Sequence, residues 1–93
     1  MEMTREELLK LIESKEVIGV NLSGQRLEKI DFTGCRIERT SFKGCELVHC
    51  RFRNAKISWS DFRYAEIQHG TFEGAEIEFS DFYRAFIDGV VIF

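Results

Sequence analysis

The chain has 93 residues, of which 44% are hydrophobic and 31% are charged, and its net charge is −3. A chain of this length forms one small domain, so we assign residues 1–93 to a single domain. The small net charge gives no global signal for nucleic-acid binding or for mimicry of a polyanion.

The N-terminal residues predict a short helix. Thr4 and Glu7 have the spacing of a capping box, and apolar residues follow at helical spacing at Leu8, Leu11 and Ile12. We expect a helix over about residues 4–14 that covers one end of the structure that follows. The segment is too charged for a signal peptide, and no apolar run approaches the ~18 residues of a membrane span. A cytoplasmic protein without membrane association is therefore expected.

A large apolar residue then recurs at every fifth position. These positions are Leu22, Leu27, Phe32, Ile37, Phe42, Leu47, Phe52, Ile57, Phe62, Ile67, Phe72, Ile77, Phe82, Ile87 and Ile92. A strand repeats every two residues and a helix about every 3.6, so neither explains this period. The residue two positions earlier is mostly small, and Gly or Asn is frequent two positions later, where tight turns demand positive φ. Each unit is predicted to send one large and one small residue inward and then to turn a corner, which winds the chain into a coil.

Units such as Ser60-Asp61-Phe62 and Ala65-Glu66-Ile67, repeated as Ala75-Glu76-Ile77 and Ser80-Asp81-Phe82, resemble those of the pentapeptide-repeat proteins. The resemblance extends from Val20 to about Ile92. It implies an all-β fold, a right-handed quadrilateral β-helix with four pentapeptides in each coil. We expect this solenoid over about residues 17–92, in about 3.5 coils, after the N-terminal capping α-helix.

With four units per coil, residues separated by four pentapeptides should lie one above the other on the same wall. Two opposite walls then supply Phe, and the other two supply Leu or Ile. Large rings from facing walls would fill the axis of the coil. The predicted core stack comprises Phe32, Phe42, Phe52, Phe62, Phe72, Phe82, Ile37, Leu47, Ile57, Ile67, Ile77 and Ile87.

The outward positions near the C-terminus are apolar, whereas the earlier ones are mostly polar. No capping element comparable to the N-terminal helix is visible there, and an apolar surface of this kind usually marks an interface. We expect a two-fold homodimer formed by end-to-end stacking of the C-terminal coils, as the resemblance also implies. The alternative is that the last residues fold back as a plug. The predicted dimer interface comprises Phe79, Tyr83, Phe86, Val91, Ile92 and Phe93.

The cysteines and histidines have simple structural interpretations. Cys35, Cys45 and Cys50 fall in the small inward column, and core packing is favoured over a redox or metal role. His49 and His69 are one coil apart and should stack on one outer edge. No third ligand accompanies them, so no metal site is predicted.

Two further surface features have open alternatives. Arg39, Trp59 and Phe79 share an outer edge, where a structural stack with Arg over Trp is favoured over a partner-binding surface. Residues 26–63 carry nine Lys or Arg against five Asp or Glu. These cations point out of different walls, so a solvated surface is favoured over a phosphate-binding one.

No catalytic arrangement emerges, and we predict neither an enzyme nor a cofactor. The favoured function is a non-enzymatic structural or protein-interaction module whose role and protein partner the sequence does not specify; nucleic acid is not the expected partner. The alternative comes from the resemblance, because some longer pentapeptide-repeat proteins mimic duplex DNA and bind DNA gyrase. The short chain and its basic middle disfavour that alternative.

Overall fold

The structure is a computed structural model that describes residues 2–92. One helix, α1 (Arg5–Glu13), precedes eight strands of three residues each. The strands are β1 (Glu16–Ile18), β2 (Arg26–Glu28), β3 (Arg36–Glu38), β4 (Glu46–Val48), β5 (Lys56–Ser58), β6 (Glu66–Gln68), β7 (Glu76–Glu78) and β8 (Phe86–Asp88). Each strand ends at a tight turn, so the chain changes direction after every strand.

Helix α1 begins at the predicted capping box. The Thr4 hydroxyl accepts a hydrogen bond from the Glu7 amide at 3.1 Å, and the Thr4 amide donates to the Glu7 carboxylate at 2.9 Å. Because these bonds satisfy amides that have no partner within the helix, they fix the helix start. Leu8 is fully buried against the first coil. The predicted capping helix is confirmed, with bounds one residue inside the predicted 4–14 at each end.

The strands form two parallel four-stranded sheets, ordered β1-β3-β5-β7 and β2-β4-β6-β8. Each of the strands β1 to β6 pairs with the strand four pentapeptides further along the chain, as in Val17 opposite Ile37 and Leu27 opposite Leu47. Isolated parallel bridges such as Asn21 to Ser41 link successive coils between the two sheets. The chain therefore winds as a square β-helix of about four turns, which confirms the predicted fold class. The turn count is slightly larger than the predicted 3.5.

The four walls are numbered in chain order. Wall 1 holds β1, β3, β5 and β7, and wall 3 holds β2, β4, β6 and β8. Wall 2 carries Phe42, Phe62 and Phe82 inward, and the opposite wall 4 carries Phe32, Phe52 and Phe72. Rings on one wall stack face to face, with centroids 4.6–4.7 Å apart. Rings from facing walls meet edge to face, with centroids 5.8–6.5 Å apart, so the Phe side chains fill the axis.

The corner residues adopt left-handed backbone conformations. Glycine serves at several corners, but Trp59 (φ 54°), Tyr64 (φ 61°) and Phe79 (φ 53°) occupy others. A left-handed residue other than Gly costs roughly 1–2 kcal/mol. The corner amides offset this cost by bonding the next coil: the Tyr64 amide donates to the Tyr83 carbonyl at 3.0 Å. Corner side chains point outward. Their size and polarity can therefore vary, because they do not have to pack in the core.

The last coil differs from the predicted core stack. Ile77 and Ile87 face inward but remain 39% and 44% exposed, and Phe82 is only partly buried. One coil earlier, Ile57 and Ile67 are each 1% exposed. The difference arises because these earlier residues are covered by a following coil, whereas residues 77–92 have none above them within the described chain.

Candidate interaction surfaces

The open end of the solenoid is formed by the last coil. Strand β7 pairs only with β5, and β8 only with β6, so each has one free edge within residues 2–92. The Trp59 amide donates to the Glu78 carbonyl at 3.2 Å, whereas the equivalent Phe79 amide has no backbone acceptor among the described residues. Free strand edges bearing unpaired amides readily accept another chain. This end is therefore a structural template for further pairing.

Large apolar side chains surround the open end. The structure brings the predicted interface residues together here: Phe79, Tyr83, Phe86, Val91 and Ile92 are 48–67% exposed. Phe93, the remaining predicted interface residue, lies outside the described residues. Ile77 and Ile87 add to the same surface, although the sequence assigned them to the core. Their position in the last coil was the signal for this exposure, because no later repeat lies above them among residues 2–92.

The rim of the open end is acidic. Glu76, Glu78, Asp81 and Asp88 have no Lys or Arg nitrogen within 4.0 Å among the residues that the structure describes. The one cation of the last coil, Arg84, lies over its neighbour Tyr83, with Cζ 5.5 Å from the ring centroid. An apolar surface bounded by charged residues has the anatomy of a protein interface.

The edge formed by Arg39, Trp59 and Phe79 differs from the favoured prediction. The Trp59 and Phe79 rings stack with centroids 4.6 Å apart and planes at 14°. Arg39 does not lie over Trp59; its guanidinium sits 3.8 Å from the Glu38 carboxylate. The carboxylate is the stronger attraction for a guanidinium, and the adjacent position places it within reach. The predicted stack is present as an aromatic pair without the cation.

Much of the basic middle is neutralised locally. Arg36 lies 3.7 Å from Glu16 on the paired strand β1 and 2.8 Å from Glu38 on its own strand. Arg63 binds both oxygens of Asp61, at 3.0 and 2.8 Å. The hydrogen bonds from Arg63 hold the pKa of the Asp61 carboxyl below its ordinary value. These arginines are committed to neighbours, which agrees with a solvated surface.

His49 and His69 lie in an open groove of about 500 Å³ along the corner between walls 3 and 4. The groove, called here the histidine groove, is lined by Lys29, Ile30, Asp31, His49, Arg51, His69, Gly70 and Thr71. The two imidazoles stack as predicted, with centroids 5.4 Å apart and planes at 26°. Within residues 2–92, no group of three or more His, Cys, Asp or Glu is placed to hold a metal ion.

The three cysteines lie in the core. Cys35, Cys45 and Cys50 are free thiols with at most 1% of their surface exposed. The Cys45 thiol donates to the Leu22 carbonyl at 2.9 Å, and Cys50 donates to the Leu27 carbonyl at 3.3 Å. Burial raises the pKa of the Cys45 thiol to about 11, so the thiol stays protonated and unreactive at neutral pH.

We expect the stability of the protein to fall as pH rises above about 9. Burial raises the pKa of Cys45 from 9.0 to about 11, so the unfolded chain loses this proton at lower pH than the folded chain. The contribution is complete below pH 9 and is lost as pH rises towards 11. Urea unfolding from pH 8 to 11 checks this. The Cys45→Ala variant should show a shallower fall; an identical slope in both proteins would contradict the assignment.

Helix α1 has nine residues, and the described chain contains no helix long and apolar enough to cross a membrane.

Comparison with known proteins identifies the repeat. A family model described as the pentapeptide repeat region matches residues 16–82. No curated protein matches the sequence. Three solved structures are similar in fold: HetL, a pentapeptide repeat protein involved in heterocyst differentiation regulation from the cyanobacterium Nostoc; a pentapeptide repeat protein from the Arabidopsis thaliana thylakoid lumen; and Rfr23 from the cyanobacterium Cyanothece.

These similarities are distant. HetL is 18% identical over 82% of this chain, with a TM-score of 0.46, and the Arabidopsis protein is 20% identical over 82%, with a TM-score of 0.43. This chain spans 38% and 64% of their respective lengths, less than two thirds of either. Rfr23 is 12% identical over 95% of this chain and 94% of its own, with a TM-score of 0.48. The family model covers most of the coils described above, and the chain therefore belongs to the pentapeptide repeat proteins.

Proposed function

We propose that the protein is a non-enzymatic binding module that acts through its open C-terminal end, and that this end docks a second copy of the chain. The observation that carries the proposal is the exposure of residues built to face inward. Ile92 is 53% exposed, whereas Phe72, its counterpart one coil earlier, is 2% exposed. Covering such side chains stabilises a complex by about 25 cal/mol per Å² of apolar surface removed from water.

The free strand edges support the same proposal. A second copy related by a two-fold axis would present its own β7 and β8 to these edges, in the antiparallel direction. Backbone amides and carbonyls at the last coil would then gain partners, and the exposed inward side chains would be covered by identical ones. A single interface therefore satisfies both the apolar and the hydrogen-bonding groups of this end.

The interior supports a role without catalysis. The Phe rings fill the axis, and the surface depressions are open grooves rather than enclosed pockets. Free, buried thiols are compatible with the reducing cytoplasm, where we place the protein. The gyrase alternative gains no support, because Lys43, Arg51 and Lys56 interrupt any continuous acidic surface along the walls.

Light scattering coupled to gel filtration, from about 1 to 100 µM protein, tests the proposal. The chain has a mass of 10.9 kDa, so we expect a species of twice that mass at the higher concentrations. A mass of one chain throughout this range would contradict self-association through the open end.

A further inference from the structure

The histidine groove contains cations that the protein itself does not neutralise. Arg26, Arg36, Arg53 and Arg63 on other parts of the surface each have a carboxylate oxygen within 4.0 Å. Lys29, His49, Arg51 and His69 have none within that distance in the described chain. The groove therefore differs from the surroundings of these four arginines, because its basic side chains are unpaired and share one depression.

The single carboxylate that lines the groove is already engaged. The Asp31 side chain accepts hydrogen bonds from the amide and the hydroxyl of Thr33, outside the groove lining. These bonds hold the pKa of the Asp31 carboxyl below its ordinary value, so Asp31 remains ionised through the neutral range. Its charge offsets one of the two permanent cations, Lys29 and Arg51, and leaves a positive groove even when both imidazoles are neutral.

The corner geometry holds the two imidazoles in place. His49 and His69 are left-handed corner residues with φ of 54° each, and the four-pentapeptide coil sets them one above the other. The next corner residue is Gly89, where an added Cβ would lie 2.7 Å from Nδ1 of His69. The absence of a side chain at Gly89 therefore gives the His69 ring its space at the end of the stack.

We propose that the histidine groove is a binding site for a dianionic tetrahedral oxyanion of the phosphoryl class, held by Lys29, Arg51 and the stacked pair His49 and His69. Arg51 supplies a planar set of donors suited to such an oxyanion. The Thr71 hydroxyl also lines the groove and is a further, neutral hydrogen-bond donor for the anion. The site uses side chains that neither the core nor the open end requires.

The imidazole pair and the charged groups around it share the groove. The two imidazole rings are stacked with centroids 5.4 Å apart, so both are within reach of one bound oxyanion. The charged groups that line the groove around the pair are Lys29, Arg51 and Asp31. Asp88 lies on the next coil, and its carbonyl accepts a hydrogen bond from the His69 amide at 2.9 Å.

Proton NMR of the imidazoles tests the proposal directly, because the chain contains two histidines and both line the groove. Sulfate is the first probe, because it is a tetrahedral dianion throughout the neutral pH range. We expect saturable shifts of both imidazole signals as sulfate is added at constant ionic strength. Unshifted imidazole signals, or shifts that do not saturate, would overturn the proposal.

Matched variants separate the groove from the general surface charge. Arg51→Gln should weaken sulfate binding at least about fivefold. Lys56→Gln removes the same charge from β5 on another wall, where Lys56 also has no carboxylate within 4.0 Å, and should leave affinity unchanged. Equal weakening by both variants would mean that sulfate binding depends only on the net charge of the protein, which would contradict the proposed site.

The source of the phosphoryl group is decided by a final comparison. Inorganic phosphate and a phosphoserine peptide are titrated at one pH against the same two histidine signals. Tighter binding of the peptide would assign the site to phosphorylated protein segments, and equal or tighter binding of phosphate would assign it to the free anion. Both results support an oxyanion site; binding of neither would contradict it.

Discussion

Replacing Phe52 by Ala is expected to lower the free energy of unfolding by about 3–5 kcal/mol. The Phe52 ring is fully buried and stacks on Phe32 and Phe72 with centroids 4.7 Å away on both sides. It also meets the edges of Phe42 and Phe62 from the facing wall, at 5.9 and 6.2 Å. The backbone ladders fix the separation of the walls, so the cavity cannot collapse and the full cost is retained.

Urea unfolding followed by circular dichroism measures this effect. Tyr64→Ala is the matched control, because it removes an aromatic side chain of similar size from an exposed corner. Tyr64 and its replacement share the same left-handed strain, so the control should cost less than about 1 kcal/mol. Equal losses for the two variants would mean that the axis of the solenoid is not a close-packed core. Because small domains are stable by only about 5–15 kcal/mol, Phe52→Ala should also unfold well below the parent in temperature.

Ile87→Glu is expected to weaken self-association by more than about 100-fold. Ile87 is 44% exposed in the single chain and would be covered in the proposed dimer. A buried carboxylate without a partner is strongly unfavourable, and a two-fold axis introduces it twice. The acidic residues at the same rim would add repulsion. The measurement is the dimer dissociation constant from sedimentation equilibrium.

Gln68→Glu is the control for this substitution. Gln68 lies on the same wall one coil earlier and points outward from β6, so its replacement adds the same charge away from the open end. We expect the dissociation constant of this variant to stay within about threefold of the parent. A similar dimer in both variants would contradict docking through the open end. Thermal unfolding of each variant identifies any loss of association that comes from unfolding.

The fold could be predicted because one short-range pattern determines it. Residues at every fifth position, from Leu22 onward, are large and apolar, and a chain that must turn after each one has few ways to bury them all. The Phe alternation also predicted which walls face each other, as the edge-to-face contacts of Phe42 with Phe32 and Phe52 show. Successive coils stack at the spacing of β-strands because their backbones hydrogen-bond to one another, so this spacing does not depend on the side chains.

The features that could not be predicted depend on the position of a coil along the solenoid or on which of two neighbouring groups a side chain contacts. Ile77 and Ile57 have the same place in the repeat, yet only Ile57 is covered by a later coil. Arg39 had two possible partners, and the carboxylate of Glu38 prevailed over the ring of Trp59. Pattern alone does not rank such local alternatives.

The histidine groove was only half visible in the sequence. The period of four pentapeptides predicted that His49 and His69 stack, which the structure shows. The sequence interpretation assigned Arg51 to a general basic surface and did not associate it with the histidines. The missing step was to combine the repeat with the corner positions: Lys29 and the histidines occupy one corner column, and Arg51 occupies the adjacent column on wall 4.

The alternation of Phe walls with aliphatic walls constrains how a chain of this kind can gain or lose length in evolution. Deleting one pentapeptide would rotate every later residue by one wall and place Phe above Ile. Deleting two would keep Phe above Phe, but it would move every later surface residue to the opposite side, and a deletion between residues 49 and 69 would separate His49 from His69. Only a change of a whole coil conserves both interior and surface. Such solenoids should therefore evolve by gaining or losing whole coils, and each coil then keeps its outward side chains in the same positions relative to the other coils.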